Sequence, residues 1–362
     1  MGATDGAVPR TRRRGSGELQ YLVRVSEPSP TRPKRRGRLF RYAAALLVLC
    51  GVAAYLVVQY VTGGGGARGC TVVSASDDGA SYEFTPEQAA NAATIAAVGT
   101  GRGMPERAVT IALATALQES GLRNIEHGDR DSLGLFQQRP SQGWGTARQI
   151  MDPAYAAGIF YAHLARVPDY TDLPLTVAAQ RVQRSGYPEA YAKHEQDATL
   201  LAAALTGRAA ASLTCDGRPQ RTTSATGPDA VRAALVRDFG RDALQETGAV
   251  VGGTPVPSPS PSPSVTATAR GRTVTVPVPE GAKTDATGRG ERERGWQLAQ
   301  WAVAHSSALH IQRVAYAGRV WTAGSDSDEW RTAGPDGAGG AQSSAGTSVE
   351  TSVGSVRIVA GQ

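Results

Sequence analysis

The sequence predicts a mainly α domain, preceded by one N-terminal transmembrane helix and followed by a small C-terminal α+β module. Three observations carry this. A basic arm leads into a charge-free apolar run, Tyr42 to Val61. Helical periodicity with capping signals fills the segment between Cys70 and Cys215. A segment of mixed helical and alternating patterns, interrupted by prolines, comes after it. The chain has 362 residues, a net charge of +6 and only 6% aromatic residues. That length suits about two domains, and the composition calls for cores of Ala, Val and Leu.

Residues 1–38 read as a disordered cytoplasmic arm, because Arg, Gly, Ser and Pro bury too little apolar surface to fold. Its arginines and Lys34 abut the apolar run, which favours a membrane over a nucleic acid as their partner. Residues 39–62 are the expected anchor, since the apolar run is about the roughly 20 residues that one bilayer crossing needs. The basic flank places everything after it outside the cytoplasm. No small-x-small site follows the run, so an uncleaved anchor is expected rather than a signal peptide. Residues 63–69 form a glycine spacer, 70–215 the helical domain and 216–227 a linker. Residues 228–331 form the second module, with a Pro/Ser-rich spacer over 252–268, and 332–362 read as a low-complexity tail. Cys50 lies inside the apolar run. Cys70 and Cys215 bracket the helical domain on the oxidising side, and a disulfide between them is expected.

Within the helical domain, Thr85-Pro86-Glu87-Gln88 supplies an N-cap, a proline at the first helical position and a capping-box glutamine. A helix follows from Pro86 to about Val98. Pro105 opens the next, which runs to Ser120 and is ended by Gly121. Asp152-Pro153 starts a third, and further helices are expected at 173–184 and 188–206. In the second module, Val231 to Leu244 and Gly295 to Leu309 read as helical. Arg272 to Val278 and Ile311 to Thr322 read as strands.

The chemistry centres on Glu119. Its helical neighbours at three, four, seven and eight residues before it are Ala116, Thr115, Ala112 and Ile111. A carboxyl on so apolar a face loses solvent, which favours its neutral form and raises its pKa. A carboxylic acid kept protonated is what a general acid for glycosidic-bond cleavage requires. The loop from Ser132 to Gln138 then sets a hydroxyl, a glycine, an aromatic ring and two amides in a row, groups suited to binding sugars. Trp144, between two glycines, offers a stacking surface, while Phe136 is expected in the core. Asp129 and Asp131 are the nearby carboxylates and read as loop-turn residues. Glu126, His127, Asp129 and Asp131 lack the spacing of a calcium loop, and His and Cys are too few for zinc. Neither metal nor cofactor is expected.

The Glu119-Ser120 pair followed by Ser132-Leu133-Gly134-Leu135-Phe136-Gln137 resembles the lysozyme-like fold of soluble lytic transglycosylases and goose-type lysozymes, over about residues 80–205. It is most similar to the transglycosylase-like modules of actinobacterial cell-wall proteins. The resemblance implies Glu119 as acid/base and Ser132, Gln137 and Gln138 facing the glycan. The Ala-Tyr-Asn turn usual in that family is absent. Gln180, Gln183 or Tyr187 stands in its place. The stretch Gly295 to His305, with Val314 to Trp321, resembles a C-terminal unit attached to several actinobacterial cell-wall proteins. The His and Asp that precede the helix in those relatives are missing from Arg272 to Val276, so a binding or spacing role is expected. Together these readings predict a membrane-anchored peptidoglycan-cleaving enzyme of lytic transglycosylase or muramidase type, its partner the glycan strand. The alternative is an envelope protein that binds peptidoglycan without turning it over.

Overall fold

In the computed structural model, the described residues are 42, 45–51, 69–76, 78–184, 188–217, 226–241, 271–278, 290–325, 329–333 and 354–361. The chain divides into two compact units, Met1–Gly65 and Gly66–Gln362. In the first unit, the described residues are helical and solvent-exposed. The basic arm 1–38, most of the apolar run Tyr42 to Val61 and the Pro/Ser-rich spacer 252–268 lie outside the described residues. Among the described residues, no helix is long and apolar enough to cross a membrane.

The second unit corrects the expectation of a mainly α, lysozyme-like domain, because it is built on two antiparallel sheets as well as helices. Strands β1 (Cys70–Val73), β2 (Ser81–Phe84) and β3 (Leu213–Cys215) form a three-stranded sheet in the order β2-β1-β3. These strands have only three or four residues each, too short for period-two alternation to stand out in the sequence. Cys70 and Cys215 face each other across β1 and β3 and are joined by a disulfide. That link closes 145 residues of chain, which in the chain-entropy account stabilises the fold by about 5 kcal/mol.

Between those strands run the helices α1 (Pro86–Gly101), α2 (Glu106–Ser120), α3 (Ala147–Ile150), α4 (Pro153–Leu164), α5 (Leu175–Gln183) and α6 (Glu195–Leu205). The capping box at Thr85 and Gln88 is complete, with Thr85 N–H donating to Gln88 Oε1 at 2.8 Å. Asp152 caps α4 through the backbone N–H groups of Ala154 and Tyr155. Gly121 ends α2 in the left-handed region.

The second sheet takes β4 (Thr273–Pro277), β5 (Ile311–Tyr316), β6 (Arg319–Thr322), β7 (Arg331–Thr332) and β8 (Ser355–Ala360), in the order β4-β8-β5-β6-β7. Strand β8 comes from the segment that reads as a low-complexity tail, yet it sits between β4 and β5 with Val356, Ile358 and Ala360 buried. Helices α7 (Pro228–Phe239), α8 (Glu291–Ala304) and α9 (Ser306–Leu309) complete the unit.

Both halves share one core. Ile95, Leu113 and Leu201 belong to the same apolar cluster as Trp301, Val314 and Ile358. Helix α8 packs on α1, α6 and β3. Gly207 shows how close the contact is: its φ is +88°, and a Cβ there would collide with the backbone carbonyl of Glu293.

Candidate active site

The site is assembled around the C-terminal end of α2. Gln88 Nε2 on α1 donates to Gly121 O at 2.7 Å, and Asn91 Nδ2 donates to Leu122 O at 2.8 Å. These bonds satisfy carbonyls that a helix end leaves open, and so fix where α2 stops. Glu119, the penultimate residue of α2, is half-buried. Burial pushes its carboxyl above the ordinary value, while hydrogen bonds from Tyr191 and Gln183 pull the other way and prevail only in part. Tyr191 Oη donates to Glu119 Oε1 at 2.8 Å from the 3-10 turn Pro188–His194. Gln183, the last residue of α5, also donates through Nε2 to Phe136 O at 2.7 Å, so one amide ties the carboxyl to the neighbouring loop.

That loop is stitched down from both sides. Ser120 Oγ donates to Leu135 O at 2.8 Å. Leu133 and Gln138 exchange backbone hydrogen bonds at 2.9 and 3.0 Å, closing a tight hairpin. Gly134 has φ +73°, and a Cβ on it would lie 2.8 Å from Ile150 O. The space that glycine leaves is filled by protein backbone, where the sequence suggested a glycan. Phe136 is fully buried and stacks on Phe160 with ring centroids 4.6 Å apart.

Glu119 opens into a cleft of about 840 Å³. Of the residues read from sequence, Ser132, Gln137, Gln138 and Trp144 line it. Three of these are engaged by the protein itself. Gln137 holds its Oε1 3.1 Å from Ser132 Oγ and donates through Nε2 to Gly134 O at 3.2 Å. Ser132 is buried, its Oγ donating to Asp129 O at 2.7 Å. Gln138 is 2% exposed and turns its Nε2 to Ala156 O at 3.0 Å. Trp144 is half-buried and stacks on His163, with centroids 4.3 Å apart. Gln180 is on α5 but not on the cleft wall, and Tyr187 lies outside the described residues. The groups that reach Glu119 are Gln183 and Tyr191. Tyr191 was missed by sequence reading: four residues past Tyr187, it is an equivalent aromatic until burial distinguishes it.

The cleft is basic. Arg130, Arg139, Arg166, Arg181 and Arg184 line it against two carboxylates, Glu119 and Asp129. Asp129 is exposed, 3.9 Å from Arg130. Asp131 is engaged elsewhere: it accepts from Arg139 Nε at 2.8 Å and from Ser141 N–H at 2.9 Å. Those bonds hold its carboxyl well below the usual carboxylate range. Chemically, the arrangement offers one partly desolvated acid, an aromatic wall and a cationic rim.

A family model described as VldE, C-terminal domain, matches residues 260–343. The match takes in β4, α8, α9 and β5 to β7, and leaves the cleft and everything before residue 260 unmatched. No curated protein matches the chain.

Proposed function

We propose that this chain cleaves the glycan strands of peptidoglycan outside the cytoplasm, with Glu119 as general acid and then base. The observation that carries the reading is the half-buried carboxyl lining a cleft of about 840 Å³, its pKa raised by burial. A group so poised is protonated where an ordinary carboxylate is not. Glu119 would protonate the glycosidic oxygen between N-acetylmuramic acid and N-acetylglucosamine. It would then take the proton of the muramyl 6-hydroxyl as that oxygen closes the anhydro ring. A hydrolase would need a second carboxylate as nucleophile or to position water. Asp129 is solvated and Asp131 is bound to Arg139, which favours the transglycosylase route. The Cys70–Cys215 disulfide suits an oxidising compartment.

A second reading is a peptidoglycan-binding protein without turnover. Its support is that both Tyr191 and Gln183 donate to the carboxyl, which favours the ionised form that cannot protonate a leaving group. Digestion of purified strands by the full chain separates the two. Release of anhydromuropeptides, falling roughly 10²- to 10⁴-fold in Glu119→Gln with strand binding retained, is expected for the enzyme. Binding by both proteins with product from neither supports the scaffold, and absence of strand binding sinks both readings.

A further inference from the structure

We propose that the wall of the cleft formed by Trp144, His163, Arg166 and Arg184 binds an anionic substituent of the glycan, so that the site takes an acidic strand in preference to a neutral one; this rests on the reading of the cleft as a glycan site. Arg166, Arg181 and Arg184 are exposed on the cleft and have no ion-pair partner among the described residues. The remaining two cleft arginines face carboxylates of their own loop. Arg166 lies one helical turn beyond His163, just past the end of α4. Arg184 ends α5 with φ +53°, a left-handed conformation that side-chain-bearing residues adopt uncommonly.

Both arginines act on the same imidazole. Burial first, then the charges of Arg166 and Arg184, lower the pKa of His163 and so favour its neutral form. The ring stacks on Trp144. The result is a flat aromatic pair, able to support a sugar face, with two uncompensated guanidinium groups beside it. Guanidinium groups take carboxylates or phosphates equally well in geometry, by paired N–H donation. On a peptidoglycan strand the anion is either a lactyl or peptide-stem carboxylate, or the phosphodiester of an attached polymer.

The test uses the full chain carrying Glu119→Gln, so that binding is read without cleavage. Its probes are untreated strands, strands stripped of phosphodiester-linked polymer with hydrofluoric acid, uncharged N-acetylglucosamine oligomers and a single-stranded oligonucleotide. Acidic strands should bind about tenfold more tightly than the uncharged oligomers, the size expected of a few exposed ion pairs. That preference should shrink between about 50 and 300 mM salt. It should vanish in Arg166→Gln/Arg184→Gln, with affinity for uncharged oligomers held within about twofold. Preference surviving the acid treatment assigns the anion as carboxylate, and preference lost assigns it as phosphate. Equal binding of charged and uncharged glycans overturns the proposal but leaves the glycan cleft standing. Failure of every glycan to bind, or oligonucleotide binding as tight as that of the strands, overturns both.

Discussion

Glu119 is held between opposing influences, and each is a nameable residue. The apolar face of α2 dries the carboxyl and raises its pKa, whereas Tyr191 and Gln183 stabilise its charge and lower it. Tyr191 is fully buried, so Tyr191→Phe keeps the ring's packing and removes only the donor. Desolvation is then opposed by Gln183 alone, and the Glu119 pKa rises further. A group that works in its protonated form stays active to higher pH when its pKa rises, so the falling limb of the pH–activity profile should move to higher pH. A carbon-detected NMR titration of the Glu119 carboxyl in the intact chain reads the same change without any substrate. Global stability should fall by no more than about 1–2 kcal/mol, the worth of one hydrogen bond. A midpoint that stays put or drops would show that Tyr191 does not tune this carboxyl. Sequence made the drying legible, because Ala116, Thr115, Ala112 and Ile111 sit on the same helical face as Glu119. It did not make the donors legible, because the 3-10 turn after α5 has no periodicity from which to choose Tyr191 over Tyr187, and Gln180 and Gln183, one turn apart on α5, share a helical face.

At the level of elements, the helices were legible where the chain carries its own punctuation. The Thr85–Gln88 box, Asp152 before Pro153, and Gly121 after Ser120 each mark an end through a local hydrogen bond or a left-handed φ. Strands β1, β2 and β3 were not legible, since what creates them is pairing between residues about 10 and 145 apart. Strand β8 does alternate, but it follows a Gly/Ser/Ala-rich stretch that reads as a tail. The element that matters most for the site is the hairpin Leu133–Gln138, and Ser120 is its tether to α2. Ser120→Ala removes the donor to Leu135 O and leaves that carbonyl without this partner in a buried setting. A loss of roughly 1–3 kcal/mol in urea unfolding is expected. Amide exchange should accelerate at Leu133 and Gln138, the hairpin's paired positions, before it does in α2. Unchanged exchange there would mean that Gln183 alone secures the loop.

The whole second unit is one cooperative body because its C-terminal half completes the core and the polar network of its N-terminal half. Asp238 on α7 accepts from Thr94 Oγ1 on α1 at 3.0 Å, from Trp301 Nε1 on α8 at 2.9 Å, and from its neighbour Arg237. Trp330 and Trp321 donate their indole N–H groups to Leu213 O and Cys215 O, at the strand that carries the disulfide. Gln300 does the most. Its Oε1 accepts from the backbone N–H groups of Ser212 and Leu213 at 3.0 and 2.9 Å, and its Nε2 donates to Ala204 O and Ala209 O at 2.7 and 2.9 Å. One fully buried amide therefore serves four backbone groups between α6 and β3. Gln300→Ala would deprive all four of this partner without placing water beside them. Each such group costs about 1–3 kcal/mol, so a loss of at least about 3 kcal/mol is expected. Because the core is shared, that loss should appear as one earlier transition, with the Trp signals of the C-terminal half and the helical signal of the N-terminal half moving together. Gln300→Glu introduces a carboxylate that can accept but not donate. It should recover part of the loss only at low pH, where the protonated carboxyl can donate again. Two separated transitions in wild type or variant would refute the single-body account, and with it the need for residues beyond 217 to keep the Glu119 cleft in shape.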